Sequence, residues 1–280
     1  MNKTININGI DIFYREAGET NVKKIVLLHG FPSSSHMYRE IINELSSEYH
    51  LIAPDYPGFG LSESPSTNEF EYTFDNISGL IENFIDALEL ESFYLMMQDY
   101  GGPIGFRIAA KRPELIKGII IQNANIYLEG LGEWSQKIGA FQKANDLAGL
   151  NDFKNYLMSH DGITEQYLSG SEHPEKIDPI SYLTDIAFNN RIGINEVQTA
   201  LFNNYDSNFP KYEEWQNYLR ENQPKILIVW GINDRFFNKK GGKAYTKDIK
   251  NSTTHFFKGG HFMLEEYGKE VTDLIREFIE

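Results

Sequence analysis

Three side chains in this sequence have the types and spacing for hydrolysis through a covalent ester. In the stretch from Phe93 to Gly105, an apolar run ends at Asp99, and Tyr100-Gly101-Gly102-Pro103 then opens a helical pattern carrying Phe106, Ala109 and Ala110. A carboxylate exposed at such a turn can attack carbon and form an ester. Regenerating it requires a base that activates water and donors that hold the oxyanion. Gly101 allows close backbone approach, and Pro103 suits a helix's first turn, where its missing N–H has no intrahelical acceptor. An aspartate that merely caps the helix is the competing reading, because aspartate is a strong N-cap.

The remaining groups favour chemistry. Asp234 lies just past the apolar run Lys225 to Trp230, and His261 lies in Lys258-Gly259-Gly260-His261-Phe262, ahead of a terminal apolar stripe. The chain order is nucleophile, acid, histidine. Asp234 can accept the Nδ1 proton of His261 and leave Nε2 to deprotonate water. In His29-Gly30-Phe31-Pro32 the Phe31 amide can pair with the Tyr100 amide as an oxyanion hole, whereas Pro32 has no N–H to offer. Losing one donor of such a hole costs roughly 2.7–4 kcal/mol in the transition state, against about 1 kcal/mol at most for an exposed ion pair. The geometry of these few groups therefore outweighs surface charge in the functional reading.

The elements that must position them are those of an α/β chain. Apolar strand patterns fall at Ile10 to Tyr14, Lys24 to Leu28, Tyr49 to Ala53, Ser92 to Met97, Gly118 to Gln122, Lys225 to Trp230 and Thr253 to Phe257. Phe74, Ile77, Ile81, Phe84, Ile85 and Leu88 form one helical stripe, and Val271, Leu274, Ile275 and Phe278 another. Between these halves the composition shifts to Asn, Tyr and Glu with helical patterns, which reads as a helical insert. The run from Glu63 to Glu91 holds eight acidic residues and no Lys or Arg, and is expected to be a solvated face.

Composition narrows the partners. The chain has 280 residues, 41% hydrophobic and 14% aromatic, enough for a sizeable core without disulfides. With no cysteine and seven dispersed histidines, thiolate chemistry is excluded and no zinc-ligand spacing is present. The glycine pairs near 101, 241 and 259 lack the spacing of a phosphate or dinucleotide loop. No metal or organic cofactor is expected. A net charge of −14 repels phosphate backbones and anionic lipid, so neither nucleic acid nor a membrane is an expected partner. The opening residues lack the apolar core of a secretory signal, and a cytoplasmic location is expected.

Taken together, His29 to Pro32, Asp55-Tyr56-Pro57-Gly58-Phe59-Gly60-Leu61-Ser62, Gln98 to Gly102, Asp234 and Gly260-His261-Phe262 resemble the α/β-hydrolase superfamily. The resemblance spans almost the whole chain. Its specific likeness is to the branch of soluble epoxide hydrolases and haloalkane dehalogenases, with Asp99 in the serine slot of the nucleophile elbow and Met97 at its leading glycine. The resemblance implies a mostly parallel eight-stranded sheet, with a core at 1–125 and 221–280 and a helical cap at 126–220 that closes the substrate cavity. Dehalogenases of this branch hold the halide with a Trp after the nucleophile and an Asn after His-Gly or a cap Trp. Those local positions here are Tyr100 and Phe31, with Trp134 and Trp215 as cap candidates more readily read as packing residues. Epoxide hydrolases use cap tyrosines as proton donors; Tyr205 is the best match, with Tyr156 or Tyr167 as the second. The expected substrate is a small, largely apolar organic molecule that reacts with water, with epoxide opening to a vicinal diol preferred over dehalogenation. Another ester or acyl hydrolysis, or a non-catalytic interaction role on the same fold, is the further alternative.

Overall fold

The continuously apolar runs become the centre of an eight-stranded sheet. The computed structural model describes residues 1–280. Its strands are β1 (Asn2–Ile7), β2 (Ile10–Ala17), β3 (Lys24–Leu28), β4 (His50–Pro54), β5 (Phe93–Gln98), β6 (Ile116–Gln122), β7 (Ile226–Gly231) and β8 (Ser252–Phe257). Their spatial order is β1-β2-β4-β3-β5-β6-β7-β8. The β1–β2 and β2–β4 pairings are antiparallel, and all the others are parallel. The helices are α1 (Arg39–Leu45), α2 (Phe74–Ala87), α3 (Gly101–Lys111), α4 (Glu133–Lys143), α5 (Leu147–Met158), α6 (His160–Leu168), α7 (Pro179–Asn189), α8 (Ile194–Asn204), α9 (Tyr212–Asn222), α10 (Lys239–Ala244) and α11 (Leu264–Ile279).

Strands covered on both faces send alternate side chains into different cores. Val26, Leu28, Leu95, Met97, Ile119, Ile121, Ile226 and Ile228 enter one apolar cluster. Ile25, Leu27, Met96, Ile120, Leu227 and Val229 enter the other, with α1 and α11. The insert between β6 and β7 carries α4 to α9. Its Trp134, Phe153, Leu157, Leu201 and Trp215 join the first cluster, so insert and sheet share a core. No helix is long and apolar enough to cross a membrane.

One feature differs from the sequence reading. β1 pairs with β2 through a turn in which Asn8 has φ 53° and Gly9 φ 89°, the left-handed pair that a two-residue hairpin favours. The acidic run is a solvated face, as expected: all of its acidic residues but Glu82 are exposed. Asp75, Glu82 and Asp86 of the run pair with Arg107, Lys111 and Arg112 at 2.6 Å each. The apolar stripe of α2 lies inward, as its periodicity requires, while its acidic flank meets the basic edge of α3.

Candidate active site

β5 delivers Asp99 to the first core's edge, and the turn into α3 forces it into φ 47°. That left-handed conformation costs a non-glycine residue roughly 1–2 kcal/mol, and here it lifts the carboxyl away from the helix. The N-cap of α3 is Tyr100, with no side-chain cap bond. The plain capping role is thus not what Asp99 performs. Its Oδ1 accepts a hydrogen bond from the Phe31 amide at 2.8 Å, and the Tyr100 amide also favours its ionised form. The loop after β3 approaches so closely that a Cβ at Gly30 would stand 2.3 Å from the Asp99 Cβ, and one at Gly101 would stand 2.2 Å from the Leu28 carbonyl oxygen.

His261 Nδ1 lies 2.8 Å from Asp234 Oδ2, and its Nε2 lies 3.9 Å from Asp99 Oδ2. All three side chains are buried. The other Asp234 oxygen accepts from the Phe236 amide at 2.7 Å. Burial pushes the Asp99 carboxyl up to about 6, against the opposing pull of His261 and the two amides. Burial pulls the His261 imidazolium down, but the charge and hydrogen bond of Asp234, with the charge of Asp99, raise it above its ordinary value. An acid that orients the ring, a ring nitrogen aimed at a carboxyl, and two amides on that carboxyl form the arrangement needed for ester formation and its hydrolysis.

Two residues given no role in the sequence reading support the site. Asn123, with φ 43° at the end of β6, donates to Asp234 Oδ2 at 2.8 Å and to the Gly231 carbonyl at 3.1 Å, and accepts from the Gly231 amide at 2.8 Å. It locks Asp234 onto the end of β7. Gln98 places its amide nitrogen 2.9 Å from His261 Nε2, a donor to that nitrogen when the ring is neutral. Gln98 stood in the stretch up to Gly102 with no role of its own. Asn123 had only its place just past an apolar strand.

Above Asp99 opens a cavity of about 220 Å³, lined by apolar Phe31, Leu131, Leu157, Phe202, Phe236 and Phe237 among others, and by Tyr100 and Tyr205. Tyr205 stands in the turn after α8, with its ring centroid 5.9 Å from that of Tyr100. Burial holds its phenol well above the ordinary value, so it stays protonated. The other sequence candidates lie elsewhere. Tyr156 is exposed on α5 and donates to Glu165. Tyr167 is buried against Phe262 and donates to Asp185 at 2.5 Å. Neither lines the cavity, because α5 and α6 turn those faces to solvent and to the second core. Trp134 packs edge-on against Phe236, and Trp215 lies stacked near Phe106. Both are outside the cavity lining. Tyr212, unremarked in the sequence, is buried with its hydroxyl beside the Tyr205 hydroxyl and the Asn125 side chain, and Phe209 packs between the two rings. No group of three or more His, Asp or Glu side chains is placed to hold a metal ion.

The fold agrees with comparisons to known proteins. Residues 23–267 match the family described as alpha/beta hydrolase fold, and the chain belongs to that family. An uncharacterized hydrolase of Saccharomyces cerevisiae is 38% identical over 264 residues, covering 93% of this chain and 90% of the relative. A haloalkane dehalogenase of Psychrobacter cryohalolentis is 26% identical over 293 residues, covering 96% and 87%. The solved meta-cleavage product hydrolase from Pseudomonas fluorescens superposes with a TM-score of 0.79 at 19% identity, covering 99% of this chain and 97% of that one. That last likeness concerns the fold alone. The protein is an α/β-hydrolase.

Proposed function

We propose that Asp99 is the nucleophile of an epoxide hydrolase that turns small, largely apolar epoxides into vicinal diols, beneath a cap formed by the helical insert. The observation that carries this reading is a buried carboxyl facing an apolar cavity, with a histidine nitrogen 3.9 Å away and a protonated tyrosine on the cavity wall. Asp99 Oδ2 attacks a ring carbon while Oδ1 stays on the Phe31 amide. The C–O bond breaks, and Tyr205 gives its proton to the leaving oxygen, leaving a hydroxyalkyl ester and a phenolate. His261 Nε2 then takes a proton from water, whose oxygen attacks the Asp99 carbonyl carbon. The Phe31 and Tyr100 amides hold the tetrahedral oxyanion. Collapse expels the alkoxide, which takes the carboxyl proton brought by the attacking water and leaves as the diol, while the proton on His261 returns to the tyrosine phenolate through water, restoring the Asp99 carboxylate.

Dehalogenation is the second reading, favoured by the relative from Psychrobacter. It would run through the same ester and release halide. Phe31 and Tyr100 offer no side-chain N–H to a halide, and neither cap tryptophan lines the cavity, so epoxide opening has the stronger support. A carboxylic ester fits less well, since carboxylate attack on an acyl group would give an anhydride. A purely binding role would require the three polar side chains to stand apart, against the distances of 2.8 and 3.9 Å. The test is a panel of neutral epoxides and haloalkanes, with intact-mass measurement of His261→Gln after exposure. Diol formation with an adduct of the epoxide's mass on Asp99 is the expected outcome. Stoichiometric halide release without diol would select the second reading, and no adduct from any substrate would defeat both.

A further inference from the structure

Away from the reacting groups, one face of α7 forms a second buried polar cluster. Ser181, Asp185 and Asn189 are spaced four residues apart and therefore project on the same side. Asn189 donates to the Pro32 carbonyl at 2.9 Å, directly after the residue whose amide holds Asp99. Ser181 donates to Glu265 at 2.8 Å, and Arg39 reaches both. Between them, Asp185 is completely buried. Tyr167 donates to its Oδ2 at 2.5 Å, and Ser33 Oγ lies 3.3 Å from its Oδ1. Tyr167 also stacks on Phe262, the neighbour of His261, with ring centroids 3.8 Å apart. This one carboxyl thus touches both the loop carrying the Phe31 amide and the aromatic pair that backs the catalytic histidine.

No cation pairs with Asp185, whose carboxylate bonds only Tyr167 and Ser33. Arg39 is committed to Glu265 through two bonds of 2.9 and 2.7 Å. The charged groups directed at Asp185 from the packed elements are Glu265 of α11 and Asp55 after β4, both of which oppose its ionisation. Protonated, it completes a chain: Tyr167 donates to one oxygen, the acid proton goes to Ser33 Oγ, and the serine hydroxyl turns toward the Ser34 carbonyl 3.5 Å away. Ionised, it would be a buried anion with no paired cation, held only by two neutral hydroxyls.

We propose that Asp185 is a proton-operated positioning residue: neutral, it clasps the helical insert to the loop that presents the Phe31 amide, and its ionisation loosens that loop and slows the attack by Asp99. Burial pushes the carboxyl up to about 8, with Tyr167 and Ser33 opposing and Glu265 and Asp55 assisting. The clasp therefore opens on the alkaline side of neutrality. The kinetic consequence rests on the ester mechanism proposed above; the structural consequence does not.

The experiment compares the full-length protein with Asp185→Asn, whose amide imitates the neutral acid. The first arm follows hydrogen exchange in peptides covering residues 29–36 from pH 6.5 to 9.5, corrected for the intrinsic pH dependence of exchange. The second follows the single-turnover rate of adduct formation with a neutral aryl epoxide over the same range. In the wild type, protection and rate should both fall about tenfold between pH 7 and 9, as one titrating proton requires. In the variant both should stay within about twofold across the range. Identical pH profiles in the two proteins would overturn the proposal. So would pH-independent protection in the wild type, a result that stands even if the variant does not fold. Failure to form any adduct would count against the epoxide reading alone, because the exchange arm needs no substrate.

Discussion

Asp99 sits where folding and reactivity oppose one another. Its buried carboxyl is pushed up to about 6, whereas in the unfolded chain it titrates near 3.9. A carboxyl whose folded value is raised contributes its full share of stability below the unfolded value. That share is lost as pH rises toward the folded value, because the unfolded chain ionises first. Asp99→Asn should therefore be inactive yet more stable than the wild type at pH 7, by on the order of 2–3 kcal/mol, with the difference nearly gone at pH 4. Urea titration at both pH values reads this directly, and equal stability at pH 7 would contradict it. In the proposed mechanism, forming the ester would remove the Asp99 charge, one of the influences raising His261. The ring would then give up its proton more readily at the step that needs a base. The positions of Asp99, Asp234 and His261 were legible because each follows an apolar strand pattern in a fixed chain order. Asn123 and the distant tyrosines were not, since their roles depend on which sides of separate elements meet in space.

At the scale of elements, the elbow depends on β3 and α3 passing at backbone distance. Gly101 makes this possible: a methyl group there would stand 2.2 Å from the Leu28 carbonyl. Because the obstacle is backbone, the clash can be relieved only by moving the strand or the elbow. Gly101→Ala should destabilise the protein by roughly 1–3 kcal/mol or more and lower kcat/KM by over tenfold, measured by urea unfolding and steady-state kinetics on the same preparation. A variant of wild-type stability and turnover would show that the close crossing is dispensable. The central strands were legible because they are buried on both faces and therefore continuously apolar. β1 was not, since its alternating, half-exposed residues resemble a polar leader until the Asn8-Gly9 turn is recognised as a hairpin. The acidic flank of α2 was legible as solvated, but its pairing with Arg107 and Lys111 of α3 and with Arg112 just past it was not, since those partners lie beyond any local window.

At the scale of the whole molecule, the insert and the sheet bury a common core, so the cavity between them forms as the domain folds. The insert's existence was legible from its change in composition, whereas its packing against the elbow depends on tertiary contacts. The chain carries a net charge of −14, no Lys or Arg lines the cavity, and Asp206 stands on its wall. This field selects against anions. An aryl epoxide bearing a carboxylate should show kcat/KM at least about tenfold below its neutral parent, with part of the deficit recovered at about 0.5 M salt, where exposed charges are screened. Equal rates at low salt would show that charge plays no part in selection.

The bond between substrate carbon and Asp99 is open to a direct isotopic test. In the ester mechanism water attacks the aspartyl carbonyl rather than the substrate, so the oxygen added to the first product comes from the enzyme. A single turnover with enzyme in excess, run in ¹⁸O-labelled water, should give unlabelled diol and a tryptic peptide containing Asp99 heavier by about 2 Da, the mass of one such exchange. Label in the diol after that one turnover, with none in the peptide, would mean that water attacks the substrate directly and that Asp99 is not the nucleophile.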